Sequence, residues 1–293
     1  MQQRIVLMCA LLVGLAGCGG AGGGAEARVD TTVIAGFYPL AFAAEELGGR
    51  KVEVTNLTPP GAEPHDVELS ARDVERVRNA DVVLYLGAGF QPALEEAAEE
   101  ARGEVVDVLT GLSPRRESHA QSRESGQIAD PHVWLDPVRY RQLVGRIAAA
   151  VGDARKAGPF RSRLGALHRE FERGLERCQR RQFVTSHAAF GYLADRYRLR
   201  QIPITGVSPE AEPSARDLER VIAEVRKRGA TTVFFETLVS PRLARTVARE
   251  ADVRTDVLNP VEGLTEDEIR AGEDYFSLMR GNLAALRQAL GCR

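Results

Sequence analysis

The sequence is short of the residues that mark several common classes of protein. Aromatic residues make up 6% of its 293 residues and the formal net charge is −2, so neither base stacking nor overall positive charge favours nucleic-acid binding. It contains no HExxH motif and no evident nucleophile elbow that would mark a hydrolase. Hydrophobic residues at 44% and charged residues at 27% are ordinary for a globular chain, and the length allows two hydrophobic cores.

The apolar stretch near the N-terminus is too short to cross a membrane. Ile5 to Ala16 is about a dozen residues, which suits the core of a signal peptide. It ends in Leu15-Ala16-Gly17-Cys18, which resembles a bacterial lipobox, where the cysteine is acylated and becomes the mature N-terminus. We therefore predict a lipoprotein signal peptide at residues 1–17, acylation of Cys18 and a flexible Gly/Ala-rich tether at residues 18–28. The alternative is an ordinary secretory signal with an incidental cysteine.

Two of the four cysteines remain for the folded part of an extracytoplasmic chain. Cys9 falls in the predicted signal peptide and Cys18 is the predicted acylation site. Cys178 and Cys292 are left as an even pair in an oxidising compartment, so we predict a disulfide between them. The alternative is a pair of free thiols whose Cα atoms lie too far apart to be bridged.

Short β-rich runs alternate with helical patterns along the chain. This alternation predicts an α/β fold with parallel sheets. Two sets of four runs predict two lobes, each a four-stranded, mainly parallel sheet with flanking helices. The first set is 32–35, 52–57, 82–86 and 104–108, and the second is 183–185, 200–204, 231–235 and 253–258.

A stretch between the two sets has helical apolar spacing and no predicted strand. From Leu164 to Leu175 the apolar residues recur every three or four positions, and Gly158-Pro159 marks the start of this helix. We therefore predict an N-terminal lobe at residues 29–136, a connecting helical segment at 137–180 and a C-terminal lobe at 181–293. One long connecting helix should limit motion between the lobes.

Several predicted helices begin at recognisable capping residues. Ser70, Ser214 and Thr265 each stand three residues before an acid, as in a capping box. Asp136-Pro137 and Ser240-Pro241 each place a capping residue before a proline that suits the first turn of a helix.

Three of the five histidines follow predicted strands or short turns. His65 follows the strand that ends near residue 57, His132 lies in the motif ADPHVWLDP, and His187 comes directly after the strand at 183–185. Ligands of open α/β sheets gather outside the carboxyl ends of the strands, so one cleft between the lobes could recruit all three. Three imidazoles and one further ligand suit a tetrahedral zinc ion. Taken singly, a histidine is more often a hydrogen-bonded structural residue than a metal ligand.

The motifs GAEPHDVELS, DPHVWLDP, SHAAFGYLADRY, TGVSPEAEPSARDL and FFETLVSP resemble the solute-binding lipoproteins of zinc and manganese ABC importers. The resemblance runs in order along the predicted mature chain. It implies two α/β lobes joined by a long helix, with one metal ion bound in the cleft by His65, His132 and His187. Three histidines favour Zn²⁺ over Mn²⁺. The resemblance also implies an extracytoplasmic, membrane-anchored monomer that delivers its cargo to an ABC permease and catalyses no reaction.

The fourth ligand is the point at which the chain departs from this family. Many relatives have Leu-Asp-Pro where this chain has Leu258-Asn259-Pro260. A neutral amide oxygen is a weaker ligand than a carboxylate, so we expect a weaker site if Asn259 takes this place. A water molecule, or Glu236 at the end of its predicted strand, could complete the site instead.

The remaining residues of ADPHVWLDP also have predicted roles. Asp136 is expected to cap the next helix and Trp134 to pack beneath the site. As an alternative, Asp130 or Asp136 orients an imidazole.

Three alternative functions stay open, and one loop has an alternative role. The chain could be a manganese- or iron-type binder of the same family, or a zinc hydrolase with Glu63, Asp66 or Glu236 as the general base. It could be a surface adhesin. The segment Ser113–Asp130 could collect metal through His119, although a solvated loop is the favoured interpretation.

Overall fold

The computed structural model describes residues 30–117, 128–152 and 154–293. The predicted signal peptide, the acylation site Cys18, the tether and His119 lie outside these residues. Across the described ranges, no helix combines the length and apolar character needed to cross a bilayer.

The N-terminal lobe is a four-stranded parallel sheet with three helices. Its elements are β1 (Thr31–Ala35), α1 (Tyr38–Gly48), β2 (Val52–Asn56), α2 (Ala71–Asn79), β3 (Val82–Tyr85), α3 (Pro92–Ala98) and β4 (Glu104–Asp107). The strand order is β2-β1-β3-β4. The central strands β1 and β3 carry mostly buried residues, because helices pack on both faces of a parallel sheet.

A short hairpin and two helices follow. They are β5 (Arg116–Glu117), β6 (Ile128–Ala129), α4 (Pro137–Ala150) and α5 (Ala157–Leu175). The sequence did not predict the antiparallel pair β5–β6. The connecting segment contains both predicted helices, one that starts at Pro137 and one that starts near Gly158. The chain turns between them at Gly152, whose φ of 83° suits glycine. The long helix α5 begins one residue before Gly158.

The C-terminal lobe repeats the parallel architecture. Its elements are β7 (Gln182–Thr185), α6 (Gly191–Arg196), β8 (Arg200–Pro203), α7 (Ala215–Arg228), β9 (Thr232–Phe235), α8 (Arg242–Ala251), β10 (Arg254–Val257), α9 (Glu266–Ala271) and α10 (Tyr275–Leu290). The strand order is β10-β9-β7-β8, with all pairs parallel. The predicted class, two four-stranded parallel α/β lobes, is thus confirmed, and the eight predicted strands are all present.

The predicted capping boxes at Ser70, Ser214 and Thr265 are present at the starts of α2, α7 and α9. Asp136 caps α4 by accepting a hydrogen bond from the Val138 N–H at 2.9 Å. Helix α8 begins after Pro241, and the Ser240 hydroxyl accepts a long hydrogen bond from the Arg242 N–H at 3.5 Å.

One hydrophobic cluster joins the two lobes. It runs from the N-terminal sheet through α4 and α5 to α10, and includes Trp134, Tyr140, Phe171 and Tyr275. Two smaller clusters fill the outer parts of the lobes. Beyond the end of α5, a disulfide joins Cys178 to Cys292. Because the largest core crosses the connection, the lobes share much of their packing.

Candidate metal site

The structure brings together the three predicted histidines and one glutamate that the sequence analysis did not single out. The potential ligand atoms of His65, His132, His187 and Glu262 all lie within 4.8 Å of one another. His132, His187 and Glu262 are fully buried, and the His65 side chain is 10% exposed. The two lobes contribute equally, because the first two histidines belong to the N-terminal half and the other two residues to the C-terminal lobe.

His65 is held by a short 3-10 turn after β2. The Glu63 carboxylate accepts a hydrogen bond from the His65 backbone N–H at 3.2 Å, and the Gln91 amide donates to the Pro64 carbonyl at 3.2 Å. The imidazole packs edge-on against Phe90, with ring centroids 4.6 Å apart. These contacts fix the turn and direct the ring toward the cleft.

His132 is oriented by Asp130. The Asp130 Oδ1 atom accepts from the His132 backbone N–H at 2.9 Å and lies 2.8 Å from Nδ1. Because a carboxylate can only accept, Nδ1 carries the proton and Nε2 is free to bind a metal. Trp134 packs against the imidazole, with centroids 5.2 Å apart. Of the two aspartates considered from the sequence, Asp130 contacts the imidazole, whereas Asp136 caps α4.

His187 is oriented in the same way from the other lobe. It follows β7 by two residues, and its Nδ1 lies 2.6 Å from Glu236 Oε1 at the end of β9. The Ser186 hydroxyl donates to the same oxygen. This contact leaves His187 Nε2 facing the cluster, 3.3 Å from His132 Nε2. Glu236 therefore supports an imidazole from behind and does not belong to the four-residue group.

Glu262 supplies the carboxylate at the centre of the cluster. Its Oε1 atom lies 2.9 Å from His132 Nε2, 3.5 Å from His65 Nε2 and 3.8 Å from His187 Nε2. Within the described chain, neither of its carboxylate oxygens has a partner in hydrogen-bond geometry. A buried carboxylate without such partners is costly, so its arrangement suits a cation placed among the three imidazoles.

Asn259 lies three residues before this carboxylate and is engaged elsewhere. Its Oδ1 accepts from the Val261 N–H at 2.7 Å, and its Nδ2 donates to Glu268 at 2.8 Å and to Thr237 at 3.3 Å. The amide therefore shapes the turn that carries Glu262. Asn259, Glu236 and water were the fourth ligands expected from the sequence, and the structure groups Glu262, rather than Asn259 or Glu236, with the three histidines. Its position after the carboxyl end of β10 was the available signal.

The charges of the cluster depend on one another. Burial by itself would raise the pKa of Glu262, but contacts with the three imidazoles outweigh it and hold that pKa well below its ordinary value. Burial lowers the pKa of His65. Burial opposes the charged form of His187 as well, yet the carboxylates of Glu236 and Glu262 raise its pKa well above the ordinary value. Without metal, protons on imidazole balance the buried anion, and a divalent cation could replace them.

The donor set fits zinc. Three imidazole nitrogens and one carboxylate oxygen make four ligands of the types that zinc accepts in a tetrahedron. Manganese and magnesium favour sites richer in oxygen. Carboxylates that hold the outer nitrogen of a ligand histidine are the usual supports of such sites, and Asp130 and Glu236 provide two.

The fold and the site define a class of two-lobed α/β binding proteins with a histidine-rich cleft. The model of the ZnuA family, described as zinc-uptake complex component A, periplasmic, matches residues 33–289. The chain belongs to this family.

Individual relatives agree with this assignment. The high-affinity zinc uptake system protein ZnuA of Bacillus subtilis is 30% identical over 307 residues, covering 98% of this chain and 96% of the relative. The zinc-binding lipoprotein AdcA of Streptococcus pneumoniae is 35% identical over 284 residues. That match covers 90% of this chain and 56% of AdcA, so the chain spans little more than half the length of these streptococcal relatives.

Solved structures show the same fold. The Zn(II)-bound ZnuA-like domain of Streptococcus pneumoniae AdcA is 33% identical, with a TM-score of 0.73 over 89% of this chain and 99% of that domain. The laminin-binding protein Lmb of Streptococcus agalactiae, described as a bifunctional protein with adhesin and metal transporting activity, is 27% identical. Its TM-score is 0.80, over 89% of this chain and 99% of Lmb.

Proposed function

We propose that this protein binds one zinc ion outside the cytoplasm and delivers it to the permease of an ABC importer. The observation that carries the proposal is the buried group of His65, His132, His187 and Glu262, in which the Glu262 carboxylate lies among three imidazoles and has no partner in hydrogen-bond geometry within the described chain. Family membership and the zinc-binding names of its relatives support the choice of metal and of importer.

The ligand count supports capture of the ion rather than catalysis. Catalytic zinc sites usually keep three protein ligands and leave the fourth position to water. Here Glu262 takes the fourth position, so a bound zinc ion has no open site for a substrate. The family is one of solute-binding components, and we propose that this chain likewise catalyses no reaction.

The proposal also includes attachment of the chain to the membrane, its meeting with the permease and its oligomeric state. Acylation of Cys18 would hold the chain at the outer face of the membrane, where a lipoprotein can meet the permease. One relative is named a zinc-binding lipoprotein, which supports this arrangement. We propose that the chain acts as a monomer, because a single chain provides all four ligands.

Elemental analysis and zinc titration of the full chain test the proposal. We expect one zinc per chain in the parent and none retained in a His65/His132/His187 triple alanine variant. Glu262→Gln keeps the shape of the side chain and removes its charge. We expect it to lower zinc affinity by more than about a hundredfold, the upper range for residues that only support a ligand.

The matched control is His168→Ala. His168 lies on α5, where it contacts Tyr197 and Glu172 at the protein surface. Its loss should leave zinc binding unchanged. A parent that takes up no zinc, or a triple alanine variant that binds as well as the parent, would contradict the proposal.

A further inference from the structure

The C-terminal lobe carries opposite charges on its two edges. Because β7 to β10 are parallel, their amino ends share one edge and their carboxyl ends share the other. We define the amino edge as residues 176–182, 197–200, 226–231, 249–254 and 287–293. We define the carboxyl edge as residues 186–191, 204–214, 236–241 and 258–268, the edge that holds His187 and Glu262.

The charge difference between these edges is large. The amino edge has twelve arginine and lysine side chains and three acidic ones, an excess of nine positive charges. The carboxyl edge has seven acidic side chains and no lysine or arginine within its ranges, and Arg216 and Arg242 follow it in the first turns of α7 and α8. The whole chain has a formal net charge of only −2, so the two edges differ strongly within a nearly neutral chain.

Direct contacts join the segments of the amino edge into one surface. Arg180 Nε donates to the Gly229 carbonyl at 2.9 Å, and Arg226 donates to the Glu250 carbonyl. The Arg293 N–H donates to the Arg177 carbonyl at 3.0 Å, and the nearby disulfide ties the last segment to the first. The positive charges therefore lie along one continuous edge.

The ordinary structural role of such cations accounts for a small part of the excess. Helices α5, α6, α7, α8 and α10 end at the amino edge, and the C-terminus of a helix carries about half a negative charge. Five helix ends thus match about 2.5 of the nine charges. Most of the positive charge has no counterpart of this kind.

We infer that the amino edge of the C-terminal lobe docks on the phosphate headgroups of an anionic phospholipid membrane. The edge is a broad surface rich in arginine, whose planar guanidinium group suits phosphate. Each arginine near an anionic bilayer strengthens the binding of a polybasic surface by about fivefold. The acidic carboxyl edge is repelled, so docking turns the metal site of this lobe away from the lipid.

The predicted position of the chain favours a membrane as the partner. If Cys18 is acylated, the residues before β1 can extend about 40 Å and keep the folded part close to the bilayer. The tether then gives the amino edge a high effective concentration near the bilayer, so a weak electrostatic attraction is enough for docking. The inference goes beyond zinc delivery, and it can fail while the zinc site stands.

Vesicle binding by the full chain tests the inference. The probes are vesicles of phosphatidylcholine with and without phosphatidylglycerol, at low and high salt. Any hydrophobic contribution from residues 1–29 is common to both vesicles, so the preference for the anionic vesicle isolates charge. The test variant is Arg198→Gln/Arg200→Gln/Arg254→Gln, because these exposed side chains make no hydrogen bonds within the described chain.

The matched control removes the same charge at the opposite side. Arg72, Arg216 and Arg242 are exposed and lie in the first turns of α2, α7 and α8. We expect the parent and the control triple glutamine variant to prefer anionic vesicles and to lose the preference at high salt. We expect the amino-edge variant to lose at least about tenfold of that preference. Zinc stoichiometry should be the same in all three.

Three results would overturn the inference. The parent could show no preference for anionic vesicles, or the two triple variants could lose the preference equally, which would reflect net charge alone. A third result is salt-sensitive self-association that the amino-edge variant abolishes, without vesicle binding. That result would assign the amino edge to the acidic edge of a second copy.

Discussion

At the scale of single residues, the site is organised by carboxylates that do not belong to the four-residue group. Asp130 holds His132 and Glu236 holds His187, each through the Nδ1 atom. Each contact selects the tautomer that presents Nε2 to the cleft. The imidazoles are therefore oriented before any ion arrives, which lowers the ordering cost of binding.

Replacing Glu236 by glutamine should weaken zinc binding without removing it. The amide keeps the size of the side chain but loses the charge that supports the His187 imidazole. We expect zinc affinity to fall by about 10- to 100-fold, with one zinc still bound at saturation. Competition with a fluorescent chelator measures the change. Glu68→Gln is the control, because Glu68 is exposed, and equal affinities for both variants would show that the contact is unimportant.

Asn259→Asp separates the two accounts of the fourth ligand. If Asn259 were the ligand, a carboxylate should tighten zinc binding. In the structure its Nδ2 donates to Glu268, and a carboxylate there would face another carboxylate. We expect no gain in zinc affinity and a loss of about 1–3 kcal/mol in the free energy of unfolding. Titration and urea unfolding measure the two effects, and a tighter site of unchanged stability would favour Asn259.

The sequence could predict the three histidines because each follows a strand or a short turn at the cleft edge. The sequence did not predict Glu262, because the Leu-Asp-Pro motif of related proteins points to position 259. The turn that projects Glu262 depends on the Asn259 amide and on Val261, whose φ is 56°. Such a backbone conformation is uncommon for valine, and no pattern in the sequence predicts it.

At the scale of elements, the sequence predicted the strands that are buried apolar runs. It did not predict strands that are only two residues long. The strands of both sheets are compact β-rich runs, which the sequence displays directly. The hairpin β5–β6 has two residues in each strand, too few for a periodic signal. In the connecting segment, Asp136-Pro137 and Gly158-Pro159 predicted the starts of two helices, and α4 and α5 begin at Pro137 and Ala157.

The turn before β4 should tolerate no side chain at Gly103. A Cβ atom there would lie 2.3 Å from the carbonyl oxygens of Ala80 and Asp81, and backbone cannot move away cheaply. We expect Gly103→Ala to destabilise the protein by about 1–3 kcal/mol. The control Gly281→Ala lies in α10 with open space around it, and should stabilise by about 0.5–1 kcal/mol. Urea unfolding gives both values, and a harmless Gly103→Ala would refute the tight turn.

At the scale of the whole molecule, the two lobes share their largest hydrophobic cluster. The largest hydrophobic cluster passes from one sheet to the other through α4, α5 and α10. Large hinge motions would break this packing, so exchange of zinc should involve small shifts near the cleft. The sequence indicated limited motion from the helical connection, but only the structure shows that the core is shared.

Removing the disulfide should lower global stability without changing zinc stoichiometry. The bond links Cys178 and Cys292 across a sequence separation of 114 residues, a long loop whose closure restricts the unfolded chain. We expect Cys178→Ser/Cys292→Ser to lose about 2–5 kcal/mol in the free energy of unfolding. Thermal unfolding with and without a reductant measures this loss. A parent that melts at the same temperature under both conditions would contradict the expectation.

Trp134 makes the site observable by light. It is the single tryptophan of the chain, its ring packs against His132, and its indole N–H donates to the Pro260 carbonyl, two residues before Glu262, at 2.7 Å. The indole thus touches segments from both lobes that carry members of the four-residue group. All tryptophan emission comes from this one place. The arrival and departure of an ion can therefore be followed by the protein's own fluorescence, without a label.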